Sequence, residues 1–351
     1  MNLSFPHDFD LPKTLPLSQS NNALLASLTS FSRHPHMAPP DPPRISIRSH
    51  HDAVDSRRRR RPKEKIVVVM GATGTGKSRL SVDLATRCIP SAEIINCDKI
   101  QLYRGLDITT NKIPLHDRRG VAHHLFGEFE TELSTADYRA IASAAVNDVV
   151  SRRKVPLLVG GSNSFIHALL AHPFAPRSDP FSGPDPVSPP LRYTCCFLWV
   201  DVSIPVLNQY LSKRVDDMLR AGMFEEMEDY FTTPASRSAA GINRAIGVPE
   251  FEPYFRKYPR RIEGGEDEDV GAGERIECYA RAVKAIKENT CQLAKRQVGK
   301  IQRLREAGWD LKRLDATEAF RAAMANEAAA EEAWEKNVVE QSVKIVKHFF
   351  G

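Results

Sequence analysis

The residues Ile66-Val67-Val68-Val69-Met70-Gly71-Ala72-Thr73-Gly74-Thr75-Gly76-Lys77-Ser78 carry the strongest structural statement in the chain. Five apolar residues, three of them consecutive valines, form a run of strand length with no polar alternation, as expected of a strand covered on both faces. The eight residues that follow satisfy G-x-x-x-x-G-K-S, and a helix is expected to start near Lys77 and reach about Arg87. In that setting the glycines let successive backbone N–H groups turn inward, and the helix N-terminus adds positive potential. Lys77 supplies a mobile charge to a terminal phosphate, and Ser78 an oxygen for Mg²⁺. Gly71, Ala72, Thr73, Gly74, Thr75, Gly76, Lys77 and Ser78 are therefore the candidate phosphate-binding segment. The pattern leaves open whether the phosphate is that of a nucleotide whose bond is broken or a diphosphate that departs.

Outward from this loop, strand and helix signals alternate. Ala92 to Asn96 reads as a second strand ending at Cys97-Asp98, and Ser134 with Asp137 has the spacing of a capping box ahead of an Ala-rich helix to about Arg152. Val155 to Val159 is a third strand, broken by Gly160-Gly161, and Phe197 to Val200 a fourth. Between these two, seven prolines from Pro173 to Pro190 mark a connection without regular structure. Helices are expected over roughly 205–219, 224–231 and 275–305, and a last Ala/Glu-rich one over about 317–349. The class is α/β: a P-loop NTPase-like parallel sheet flanked by helices, with a smaller C-terminal helical region. Residues 63–204 are assigned to the core and 205–351 to the helical region, which contains a mobile acidic loop at 263–274.

The chain has 351 residues, 42% hydrophobic and 26% charged, so it has enough apolar content to fold and is not a disordered protein. No apolar run is long enough to cross a bilayer, and no membrane partner is expected. Six cysteines without a Cys-x-x-Cys pair or zinc-finger spacing read as free thiols. The net charge of +5 is concentrated in residues 1–62, where nine Lys/Arg face five acids, leaving a body at +1. A nearly neutral body lacks the summed field of a protein that grips long polyanions, so no nucleic-acid partner is expected. Residues 1–62 are rich in Pro, Ser and Asn and close on Arg57 to Arg61. They read as a disordered leader and a possible transit peptide for plastid or mitochondrion, with a nuclear signal or a solvated linker as the other readings of the arginines. No heptad seam demands a partner, so a monomer is expected.

A nucleotide hydrolase would need a second carboxylate at a strand end, and both Asp98 and Asp201 qualify. Asp98 lies at the sheet edge where substrates bind, but it could equally cap a helix that starts at Lys99. His123 and His124 are adjacent in an extended segment and point to opposite faces, which argues against joint chelation. Trp199 and Trp309 read as core.

Six further blocks bear on function: Asn96 to Lys112; His123-His124-Leu125; Gly160 to Ile166; Arg214 to Leu219 with Gly222; Arg244 to Phe251; and Gln292 to Gln297. With Gly71–Ser78 they closely resemble the isopentenyltransferases that prenylate adenine. One branch of that family modifies an adenosine in tRNA through a helical insertion after the Gly-Gly block. Here only the proline-rich connection follows Phe165, and the C-terminal zinc motif of eukaryotic tRNA enzymes is absent. The Gly247-Val248-Pro249-Glu250-Phe251 form is similar to the plant adenylate isopentenyltransferases, which modify free nucleotides. The resemblance implies an adenylate dimethylallyltransferase using dimethylallyl diphosphate, ATP or ADP more readily than AMP, and Mg²⁺ held at Ser78. It implies Asp98 as general base, Ser162 (where the family often has Thr) toward the leaving oxygen, and Arg244 facing the diphosphate with Thr75 adding a hydroxyl. Lys295 and Arg296 would meet the nucleotide phosphates, or else belong to a solvated helix face. The role of Lys99 stays open. A tRNA dimethylallyltransferase and a P-loop kinase or ATPase are the competing readings.

Overall fold

The computed structural model describes residues 63–351, apart from 178, 184–186, 188–189, 234–240 and 260–271. The leader expected at 1–62 and most of the acidic loop expected at 263–274 lie outside the described residues. Its last residues, from Ala272, already form the first turn of a 35-residue helix, which corrects the expected loop boundary.

The elements run β1 (Lys65–Gly71), α1 (Lys77–Arg87), β2 (Ala92–Asn96), β3 (His123–His124), α2 (Thr135–Ser151), β4 (Val155–Gly160), α3 (Asn163–Leu170) and β5 (Thr194–Asp201). There follow α4 (Ile204–Arg220), α5 (Met223–Thr232), α6 (Val248–Lys257), α7 (Ala272–Glu306), β6 (Leu311–Asp315), α8 (Thr317–Ala323), α9 (Glu327–Trp334) and α10 (Glu340–Phe350). The strands form one sheet in the order β3-β2-β4-β1-β5-β6, and every pairing is parallel. The strands that follow β1 lie partly on one side of it and partly on the other. That change of direction opens a crevice at the carboxyl ends of the strands, where open α/β sheets bind ligands.

β1 shows why an unbroken apolar run suits the middle of such a sheet. Val67 and Val69 enter the core shared with α1, α4 and the C-terminal helices, while Ile66, Val68 and Met70 enter the opposite core with α2 and α3. Trp199 and Trp309 belong to the second core, as expected. A third, aromatic-rich cluster gathers Tyr103, Leu106, Met223, Met227, Phe251, Tyr254 and Ile286 from α5, α6, α7 and the segment after β2. The capping box on α2 is complete: Ser134 Oγ accepts the Asp137 N–H at 3.1 Å and Asp137 accepts the Ser134 N–H at 3.0 Å.

Two findings depart from expectation. The C-terminal third contributes β6 to the sheet edge, so it is not purely helical. The single helix expected over 317–349 is three helices: Asn326 caps α9 by accepting the Ala328 N–H at 3.0 Å, and a π-helical turn at Glu335–Val339 joins α9 to α10. His123 and His124 separate as predicted; His123 Nδ1 meets Val121 O at 2.8 Å and His124 Nε2 meets Glu93 at 2.6 Å. Between α3 and β5 the described residues contain no helix.

Candidate active site

The loop after β1 is shaped by what its glycines exclude. A Cβ on Gly71 would lie 2.4 Å from Val200 O on β5, and Gly74 and Gly76 hold φ of +79° and +82°. Gly76 begins α1, and the Trp334 ring packs so closely against it that a Cβ there would be 2.6 Å from the indole. The Trp334 indole N–H reaches Asp83 at 3.4 Å, and the Arg79 guanidinium lies 4.8 Å from its ring centroid. The outer wall of the phosphate loop is thus a side chain from the end of α9.

Inside the loop Ala72 O gathers donors. Thr75 Oγ1 gives it a hydrogen bond at 3.0 Å and Lys77 Nζ one at 2.6 Å. Thr75 is 1% exposed. Its hydroxyl stabilises the turn by donating to Ala72 O. Burial pushes the Lys77 ammonium down to about 8, Asp98 pulling it up and Arg214 pressing it further down. Arg214, on α4, gives Nη2 to Thr73 Oγ1 at 3.1 Å, while its buried Nε has no partner. Burial also lowers its pKa from the ordinary guanidinium value. Two half-buried cations therefore share the field of one carboxylate, an arrangement short of negative charge that suits an anion of more than one charge.

Asp98 meets the capping reading and keeps one oxygen uncommitted. Its Oδ1 accepts the Ile100 N–H at 3.1 Å and so caps the 3-10 turn Ile100–Leu102, while Oδ2 has no partner among the described residues. Its backbone is fixed by Asn96, whose Oδ1 accepts the Asp98 N–H at 2.9 Å and whose amide donates to Leu125 O at 2.9 Å. Asp201 is otherwise engaged: it accepts Arg313 Nε of β6 at 2.7 Å. Of the two strand-end carboxylates, Asp98 is the one beside the loop.

Gly160 must lack a side chain, since a Cβ would sit 2.2 Å from the carbonyl carbon of Cys97. Two residues on, Ser162 Oγ accepts the Lys99 N–H at 2.8 Å, and the Ser162 N–H donates to Cys97 O at 3.2 Å. The hydroxyl proton of Ser162 has no acceptor among the described residues, so it is available to an incoming oxygen. Arg244 pairs through Nη1 with Glu132 at 2.6 Å, and Lys99 Nζ meets the same oxygen at 3.0 Å. Arg244 therefore neighbours the Asp98 side of the site through Lys99. Lys295 and Arg296 are exposed on α7 and have no partner among the described residues. They immediately precede Gln297, which is 8% exposed and reaches both loops.

Ser78 is half-buried, and its hydroxyl has no protein partner among the described residues. No group of three or more His, Cys, Asp or Glu suited to a metal occurs among them. One hydroxyl with few carboxylates fits Mg²⁺, which takes much of its coordination from water and substrate phosphates, and does not fit a cation that needs an all-protein cage.

The arrangement defines a phosphate-loop enzyme with a carboxylate and a hydroxyl poised at the mouth of the loop. The family model described as IPP transferase matches residues 101–182 and 172–303. An adenylate isopentenyltransferase from Humulus lupulus is 54% identical over 80% of this chain and 89% of its own length. A protein from Arabidopsis thaliana named adenylate isopentenyltransferase 1, chloroplastic, is 52% identical over 84% and 83%. Among solved structures, a eukaryotic dimethylallyltransferase acting on tRNA superposes with a TM-score of 0.62 at 24% identity, covering 82% of this chain and 79% of that one. The chain belongs to the IPP transferase family, where it groups with the adenylate isopentenyltransferases.

Proposed function

We propose that the chain transfers the dimethylallyl group of dimethylallyl diphosphate to the N6 amine of a free adenine nucleotide, taking ATP or ADP in preference to AMP and releasing pyrophosphate. This is the reaction that opens cytokinin synthesis. The observation that supports it most is the Lys77–Arg214 pair, whose unbalanced positive charge beside the loop matches a departing diphosphate. As the carbon–oxygen bond breaks, its electron pair stays on the diphosphate, and preorganised donors at that oxygen lower the barrier because the charge develops where they already point. Lys77, Arg214 and the Ser162 hydroxyl are those donors. The N6 lone pair is delocalised into the ring, so the new carbon–nitrogen bond forms more readily when a base takes the N6 proton. Asp98 Oδ2 is free for this, since the capping duty falls on Oδ1. Ser78 and the substrate phosphates would hold Mg²⁺, which would supply further neutralisation of the diphosphate.

The unpartnered Lys295 and Arg296 favour acceptors with two or three phosphates. The connection from α3 to β5, without a helix among its described residues, favours a free nucleotide over tRNA. The Ser- and Arg-rich leader and the chloroplastic relative favour a plastid address. Mass spectrometry of the products formed by the full chain from dimethylallyl diphosphate, Mg²⁺ and ATP, ADP, AMP or unmodified tRNA tests the reading. Prenylated ATP and ADP in excess of prenylated AMP are expected. Product on tRNA alone overturns the acceptor, and phosphate release from ATP without a prenyl donor overturns the reaction.

A further inference from the structure

Gln297 makes a bridge that the reaction just described does not call for by itself. From α7 its Oε1 accepts the Thr73 N–H at 2.7 Å and its Nε2 donates to Gly161 O at 3.0 Å. One flat amide therefore reads one backbone group in the phosphate loop and another in the turn that ends β4. Asn163 adds a bond from its amide to the Gln297 carbonyl at 3.2 Å, so the main chain of α7 is tied to α3 at the same level. The contact is tight: a Cβ on Gly161 would lie 2.6 Å from Gln297 Nε2.

The bridge continues to the base. Gly161 precedes Ser162, whose Oγ accepts the Lys99 N–H, and Lys99 follows Asp98. Thr73 in turn carries the hydroxyl that Arg214 holds. The Gln297 amide is therefore a side chain that connects the groups holding the diphosphate to the groups holding the base and the Ser162 hydroxyl. These two sets sit on separate strand ends, β1 and β4 with β2, and in a transfer reaction their separation sets the distance between the breaking and forming bonds.

Resting on the function proposed above, we infer that Gln297 is a positioning residue that sets the register of the prenyl carbon against the N6 amine. Its loss leaves each half of the site intact and misaligns them. A misplacement of about 1 Å is enough to lower a reaction rate by about 10²-fold. Water, which needs no alignment by the protein, then competes for the allylic carbon.

The test uses the full chain as wild type, Gln297→Met and Gly161→Ala. Methionine keeps the length of the side chain without either hydrogen bond. The alanine methyl displaces the Gln297 amide while leaving Gln297 itself in place. Three quantities are measured: affinity for inorganic pyrophosphate with Mg²⁺ by calorimetry, kcat per pyrophosphate-binding site, and the ratio of dimethylallyl alcohol to prenylated nucleotide. Both variants are expected to bind pyrophosphate within about threefold of wild type, to lose about 10²-fold in kcat and to raise the alcohol fraction. The double variant is expected to be no worse than the poorer single one, because both remove the same contact. A kcat per binding site within threefold of wild type, or a loss of pyrophosphate affinity as large as the loss of kcat with an unchanged alcohol ratio, overturns the inference. A wild-type chain that binds pyrophosphate and forms no prenylated nucleotide overturns the proposed function and this inference with it.

Discussion

Replacing Lys77 by methionine should make the unliganded protein more stable while removing its grip on the diphosphate. The ammonium is held near 8 in the folded chain, against 10.5 for an unhindered lysine, with burial as the main cause. Because the folded pKa is the lower one, the unfolded chain binds more protons between pH 8 and 10.5. The folded state is therefore penalised fully below pH 8, and the penalty fades as pH rises toward 10.5. The gap between about 8 and 10.5 corresponds to at most roughly 3 kcal/mol at about 1.36 kcal/mol per pKa step of one. The ammonium keeps some exposure and methionine forfeits the bond to Ala72 O, so a net gain of roughly 1–2 kcal/mol is expected at pH 7. Urea denaturation of the wild type and Lys77→Met at pH 7, 9 and 10.5 measures it, and the gap should shrink at the highest pH. A variant that is less stable at pH 7, or a gap that does not change with pH, would refute the picture of a charge stored at a loss for the sake of an anion. In calorimetry the same variant should show no measurable affinity for pyrophosphate, and wild-type affinity should decline as pH rises through about 8.

Asp98→Asn keeps an oxygen to cap Ile100 and loses the basic carboxylate, so turnover should fall by about 10²-fold or more with pyrophosphate affinity nearly unchanged; steady-state kinetics beside calorimetry checks both. Gly76→Ala should weaken pyrophosphate binding by at least about tenfold, since its positive φ is strained for alanine and the new methyl meets the Trp334 ring. His167 is buried between Trp309 and Phe181, with both ring nitrogens unpartnered, and burial holds it down to about 4. Its folded pKa lies below the unfolded value of 6.5, so stability should be lost as pH falls from about 6.5 toward 4. His167→Phe should flatten that acid limb in melting curves recorded at pH 7.5, 6 and 4.5.

Much of the placement of the candidate site was legible because its residues are contiguous. Gly71–Ser78, Asp98 and Gly160 to Ser162 follow strands whose apolar runs announce them, and each lies at a carboxyl end as the sheet order requires. Arg214, Gln297 and Trp334 were not assigned roles, for the opposite reason. Gln297 meets Thr73 across 224 residues and Gly161 across 136, and no local pattern marks such a meeting. One signal was available for Arg214 and Gln297, since both stand in blocks that carry the family resemblance. β6 escaped because Leu311-Lys312-Arg313-Leu314-Asp315 buries only its two leucines and shows neither strict alternation nor a long apolar run, the mark of an edge strand. The break after α8 was hidden in a helix-favouring Ala/Glu composition, where Asn326 alone signalled the new start. The pairing of Arg244 with Glu132 was equally illegible, because Glu132 has no motif of its own.

The wall that Trp334 gives the phosphate loop bears on how the protein comes into being. The Arg79–Glu331 contact beside it joins positions 252 residues apart, so the loop acquires its outer side only after the chain has been made as far as Trp334. Contacts of such long range form late and slowly, because the intervening chain must close first. A nascent chain still on the ribosome, or a product of early termination, would carry every residue of the glycine motif and yet lack the shape that retains a diphosphate. A transcript that ends before Trp334 would therefore encode the whole glycine motif without the ring that walls it, however intact its signature.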